Sequence, residues 1–238
     1  MEYILEGVEG AFKLIFSFDR EIYSIVLLSI YVSFASTIIS AFIGVPLGLL
    51  TGIKDFRGKT TLSKIYYTAM GLPPVVVGLV TVLIISRSGP LGSVGLIYTP
   101  TAMIIAQSLL VTPIITGIVF TNSKDTGREI IEICKTLGAN RKHTFIKLIK
   151  ELKPLILVAT VTGFGRAISE VGAVMIVGGN IKGHTRVMTT FIAMSNSMGN
   201  YDTSIAMGII LLTISFISNS FLYNRTMGDN NGYKIRKY

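Results

Sequence analysis

The sequence predicts an all-α integral membrane protein with about five transmembrane helices, an N-terminal amphipathic helix and a basic cytoplasmic loop. Three observations carry this. Half of the 238 residues are hydrophobic, only 15% are charged and mean hydropathy is +0.62, against about a quarter charged in a soluble domain. The charges cluster, leaving uncharged runs at Ile22–Ile53, Ile65–Ser86, Ser88–Ser123 and Thr203–Asn224. Each run exceeds the ~20 apolar residues needed to cross a bilayer. A fifth run, Pro154–Ile181, is long enough but contains Arg166 and Glu170. Finally, 16 of the 22 basic residues follow Ile22–Ile53, Ser88–Ser123 or the last run, Thr203–Asn224. The positive-inside rule then puts the N-terminus outside and the C-terminus in the cytoplasm. The net charge of +9 therefore reads as a topology signal, not as a nucleic-acid surface.

Residues 1–18 set Ile4, Leu5, Val8, Ala11, Phe12, Ile15 and Phe16 at helical spacing, opposite Glu2, Glu6, Glu9 and Lys13. Too short and charged to be favoured as a sixth span, this segment is expected to lie on the outer membrane surface. Residues 1–225 form the transmembrane domain and 226–238 a polar tail. Span 1, Tyr23–Leu50, scatters Ser and Thr among Ile and Val and then reads Gly44-Val-Pro-Leu-Gly48; small residues allow helices to pack closely. Span 2, Leu62–Ile85, has Pro73-Pro74 at its middle. Pro74 lacks an amide donor and Pro73 is biased away from helix, so a break is expected there. It either borders a pathway or is a packing kink. Span 3, Thr101–Thr121, contains Gln107, which either bonds a neighbouring helix or lines the path.

The segment Lys124–Lys153 is the polar interruption. Thr126–Glu129 has capping-box spacing, and Ile130, Ile133, Cys134 and Leu137 recur at the i, i+3, i+4, i+7 spacing of a buried helix face. Gly138 suits a left-handed helix terminus. A second helix is expected from Asn140, with Phe145, Leu148, Ile149 and Leu152 on one face. Docking to a partner and lying on anionic lipid both fit such a hairpin. Span 4, Leu155–Val177, carries Arg166 and Glu170 four residues apart. Each is costly alone in hydrocarbon, so they pair structurally or face a water-filled path. Beyond it, Gly178–Tyr201 brings Lys182, His184 and Arg186 together as an outer basic cluster. That cluster meets an anion or a partner protein, or is simply solvated. A short amphipathic helix through Val187, Phe191 and Met194 returns along the surface, and Thr203–Leu222 is span 5.

Nucleotide motifs fail. Gly58-Lys59-Thr60 has five residues, not four, after Gly52, and Gly163, Gly165 and Ile168 lack the third dinucleotide-binding glycine. Cys134 is the only cysteine, and His143 and His184 fall on opposite sides of the membrane. No metal site or catalytic cluster is expected, and any energy source must be another subunit.

Two stretches resemble importer-type ABC transporter permeases. The first is the cytoplasmic loop with the pattern Glu-Ala-Ala, three residues, Gly, nine residues, Ile-x-Leu-Pro. Glu132 and Gly138 match, Ile133 and Cys134 replace the alanines, Leu148 takes the isoleucine position, and Lys150-Glu151 replace Leu-Pro. The second, Gly163–Ile181, is similar to a segment of molybdate and tungstate permeases; Val171, Gly178-Gly179-Asn180 and Thr185–Thr190 look like the tungstate branch. Pro73-Pro74-Val-Val-Val-Gly78 is in keeping with it.

The resemblance implies a type I importer fold in the cell membrane and a homodimer with one pathway at its two-fold interface. Pro73, Pro74, Gln107, Arg166 and Glu170 are the pathway candidates. Glu132, Ile133, Cys134, Leu137, Gly138, Ala139, Arg141 and His143 would couple to two cytoplasmic ATPase subunits. Those subunits would use ATP and Mg, and this chain would bind no cofactor. An extracytoplasmic binding protein would deliver the oxyanion, tungstate first and molybdate as the alternative. An ATP-independent channel or ion-coupled carrier explains the spans but not the helix–Gly–helix loop.

Overall fold

The computed structural model describes residues 9–10, 12–13 and 20–227, and these are overwhelmingly helical. The eight helices from Arg20 onward are α1 (Arg20–Ile53), α2 (Lys59–Met70), α3 (Pro74–Ile85), α4 (Pro100–Thr136), α5 (Arg141–Ile168), α6 (Gly172–Gly178), α7 (Met188–Ser197) and α8 (Tyr201–Met227). Three stretches are long and apolar enough to span alone: α1, the Pro100–Lys124 part of α4, and the Tyr201–Ser220 part of α8. The pairs α2–α3 and α5–α6 each qualify as one bent span, which gives five. Most of the N-terminal amphipathic segment and the tail beyond Met227 lie outside the described residues. Glu9 and Lys13 are described and paired at 2.9 Å.

Small residues, not large ones, build the central contact. Helix α1 packs most extensively against α4. Its buried face runs Ser36, Ser40, Gly44, Gly48 and Gly52 at four-residue spacing. A Cβ at Gly48 would sit 2.8 Å from both the Thr116 carbonyl oxygen and the Val119 side chain. Several large residues of α1 point away: Leu27, Phe34 and Phe42 are 64%, 58% and 82% exposed. This is the arrangement expected where lipid, not water, surrounds the bundle.

The predicted break at Pro73-Pro74 is present, and a second break, which the sequence reading did not predict, lies within span 4. At Gly71–Pro73 the chain bends by 95° between α2 and α3. Pro73 is the extended N-cap of α3 and Pro74 its first residue, where a missing amide costs nothing. At Ser169–Val171 the bend between α5 and α6 is 57°. The two second halves, α3 and α6, then pack on each other. Their crossing is close enough that a Cβ at Gly78 would approach the Ala173 Cα to 2.8 Å.

Three boundaries differ from the sequence reading. Helix α4 runs unbroken through Thr126 to Thr136, so no helix starts at Thr126: inside a helix the amides there are already paired and leave nothing to cap. Helix α5 likewise runs from Arg141 through Pro154 to Ile168, fusing the second loop helix to span 4. Helix α7 does not lie along the surface. Met188, Thr189, Thr190 and Phe191 are buried, and the Met188 amide donates to Ser29 Oγ of α1 at 2.8 Å.

Candidate functional site

The chain presents a projecting helical hairpin and, within the bundle, a polar centre at the second helix break. The hairpin is built by backbone chemistry. Gly138 adopts φ +71°. Its amide bonds the Lys135 carbonyl at 3.0 Å, and the Ala139 amide bonds Cys134 at 2.9 Å. This pair of bonds is a Schellman motif with glycine at C′. A Cβ at Gly138 would meet nothing within 4 Å, so glycine is required there by torsion, not by space. Two residues on, Asn140 caps α5: its Oδ1 accepts from the His143 amide at 2.9 Å and lies 2.9 Å from His143 Nδ1.

The expected buried face of this hairpin is split. Cys134 is buried, with Leu148 and Leu152 of the second helix, and the last two join a core with Leu49, Val111, Ile115 and Val119. Ile133 and Leu137, predicted to be buried, are 55% and 79% exposed, and Phe145 is 57% exposed. The cause is the continuity of α4 and α5: the spans fix the hairpin's rotation, so only one side of its apolar surface can turn inward. Glu132, Arg141 and His143 are exposed and Ala139 is half-buried. Asp55 in the α1–α2 connection braces the hairpin by pairing with Arg128 and, at 3.5 Å, with Lys59. The sequence reading missed Asp55; its one signal was an isolated acid among Lys54, Arg57 and Lys59.

The polar centre lies deep in the bundle. Glu170 has a side chain only 3% exposed, and its Oε2 lies 3.1 Å from an Arg166 guanidinium nitrogen. Its other oxygen, Oε1, accepts from the Ala173 amide at 3.2 Å, where α6 begins. Its backbone carbonyl accepts from Thr189 Oγ1 at 2.8 Å. One residue thus ties α5, α6 and α7. Arg166 keeps 38% of its side chain exposed. Gln107 spans the same region: Ser36 Oγ donates to its Oε1 at 2.9 Å and its Nε2 donates to the Ala167 carbonyl at 2.9 Å. Ser29, Ser33, Gln107, Glu170 and Thr189 line a pocket of only about 10 Å³. Pro73 is exposed and Pro74 half-buried, at the other break.

At the far end of α1 the outer basic cluster divides. Lys182 and Arg186 reach Glu21 at 2.6 and 3.4 Å, while His184 is exposed. Arg186 also donates to the Asn180 carbonyl at 3.5 Å.

Comparison with known proteins sets these features in a family. Residues 44–224 match the family described as binding-protein-dependent transport system inner membrane component. The chain is 54% identical to a tungstate uptake system permease protein of Peptoclostridium acidaminophilum, over 94% of this chain and 98% of that one. It is 38% identical to a probable anion ABC transporter permease protein of Haloferax volcanii, over 87% and 93% of the two chains. The fold is shared with a chain of the MetNI methionine ABC transporter at a TM-score of 0.70 and 16% identity, covering 85% of this chain and 93% of that one.

Proposed function

The chain belongs to the family of binding-protein-dependent transport system inner membrane components, and from that premise we propose that it is the permease subunit of an ATP-driven oxyanion importer, with tungstate as the cargo. The single observation that carries this is the 54% identity, nearly end to end, to a tungstate uptake permease. The chain works as a homodimer with its N-terminus outside and C-terminus in the cytoplasm. An external binding protein delivers the anion and two ATPase subunits supply the energy, using ATP and Mg.

The hairpin supports the coupling role. Ile133, Leu137 and Phe145 form an exposed apolar surface around a rigid turn, where a partner groove would gain from burying them. Arg166 is the pathway candidate that the geometry favours, because its exposed guanidinium offers a cation while buried Glu170 holds it in place. Gln107 belongs to packing, since both ends of its amide are committed within the subunit. The test is the ATPase rate of the reconstituted complex with binding protein loaded with tungstate, molybdate or sulfate. Tungstate should stimulate it most. Equal stimulation by empty binding protein, or preference for molybdate, would overturn the assignment.

A further inference from the structure

A cleft of about 450 Å³ opens beside the hairpin, between the end of α1, the last turns of α4 and the first turns of α5. Its interior is apolar, with Val45 and Leu49 from α1 and Ile149 from α5. Its rim carries Lys54, Lys135 and Arg141. These cations sit where α1 ends, α4 ends and α5 begins, and all three line this one cleft. Val45 lies nine residues before Lys54, or roughly 13 Å deeper along α1. Nearby cations are neutralised: Lys59 and Arg128 pair with Asp55, and Lys147 with Glu151. Lys54, Lys135 and Arg141 make no ion pair among the described residues.

We infer that this cleft binds one anionic phospholipid, its acyl chain along Val45, Leu49 and Ile149 and its phosphate among Lys54, Lys135 and Arg141. An apolar slot that deepens away from a ring of unpaired cations is complementary to an amphiphile with a charged head. Basic residues at the ends of membrane helices attract anionic headgroups, and the slot removes the tail from competition with bulk lipid. A free anion would use the rim alone and leave the slot unexplained. A peptide segment would bury backbone groups against walls that offer them few partners. Because Phe145 lines the cleft and is also exposed on the hairpin, the lipid would brace the docking surface from behind. The inference rests on the membrane-embedded bundle and not on which anion is carried.

Native mass spectrometry of the permease–ATPase complex, titrated with phosphatidylglycerol or phosphatidylcholine, tests it. Phosphatidylglycerol should bind at least roughly tenfold more tightly. The preference should vanish in Lys54→Ala/Lys135→Ala/Arg141→Ala and persist in the control Lys142→Ala/Lys150→Ala/Lys153→Ala. Inorganic phosphate should not displace the lipid. Benzoylphenylalanine at Leu50, a lining position, should crosslink to phospholipid in the intact complex. Equal binding of the two lipids, a preference that survives the triple variant, displacement by phosphate, or a crosslink to a second copy or to the ATPase would each overturn the proposal.

Discussion

Glu170 and Gln107 show what single residues do in this bundle. Glu170 joins three elements and holds Arg166, so its removal loosens a helix break and frees a cation. Replacing it by Gln keeps an acceptor for the Ala173 amide and loses the ion pair, and should cost about 1–2 kcal/mol after allowance for the exposure of Arg166. Glu170→Ala should cost more, because it also uncaps α6. Both variants should show lower melting temperatures in detergent, in that order, and reduced transport. Gln107→Leu removes two buried hydrogen bonds that bridge α1 to α5 and should cost about 1–2 kcal/mol. Its effect on transport should track its effect on melting, whereas that of Glu170→Gln should exceed it. Sequence alone flagged both residues as buried polar groups in apolar runs. It offered Arg166 as a partner for Glu170 but left those of Gln107 open, because Ser36 and Ala167 lie 71 and 60 residues away.

Two elements decide how the helices sit. In α1 the seam of Ser36, Ser40, Gly44, Gly48 and Gly52 is set by size. Gly48→Leu should overpack the contact with Thr116 and Val119 and destabilise by at least 1–3 kcal/mol, read as loss of monodisperse protein on heating. Gly165→Ala, at a position where a Cβ meets nothing within 4 Å, should be neutral or slightly stabilising. The second element is the turn at Gly138. Gly138→Val puts a β-branched residue at φ +71° and should cost about 1–2 kcal/mol of local stability. Its main readout is weaker co-purification of the ATPase subunit, with melting of the bundle little changed. The helix–Gly–helix pattern made this turn legible. The spans did not reveal that α4 and α5 run straight into it, because polar residues hide the helical continuity past Lys124. The exposure of Ile133 and Leu137 was equally hidden: periodicity shows an apolar face but not which partner covers it.

At the scale of the whole molecule, five apolar runs, one proline-marked break and one basic loop were enough to read the architecture, while the second break, in span 4, was not foreseen. All five runs correspond to a span or a bent span. What stayed hidden was the pairing of α3 with α6 and the inward turn of α7, both set by contacts distant in sequence. The resulting bundle has a fixed polar centre and a rigid projecting hairpin. In the proposed importer, its own helices would supply a route and the hairpin a place for an external motor. The claim that joins them is that the apolar tip of the hairpin transmits ATP energy to anion movement. ATP-dependent tungstate uptake into proteoliposomes, comparing the intact complex with Leu137→Asp, tests it most directly. Uptake should require ATP and the ATPase subunit, and should fall at least tenfold in the variant while the bundle stays folded. Uptake that proceeds without the ATPase, or that Leu137→Asp leaves unchanged, would contradict it.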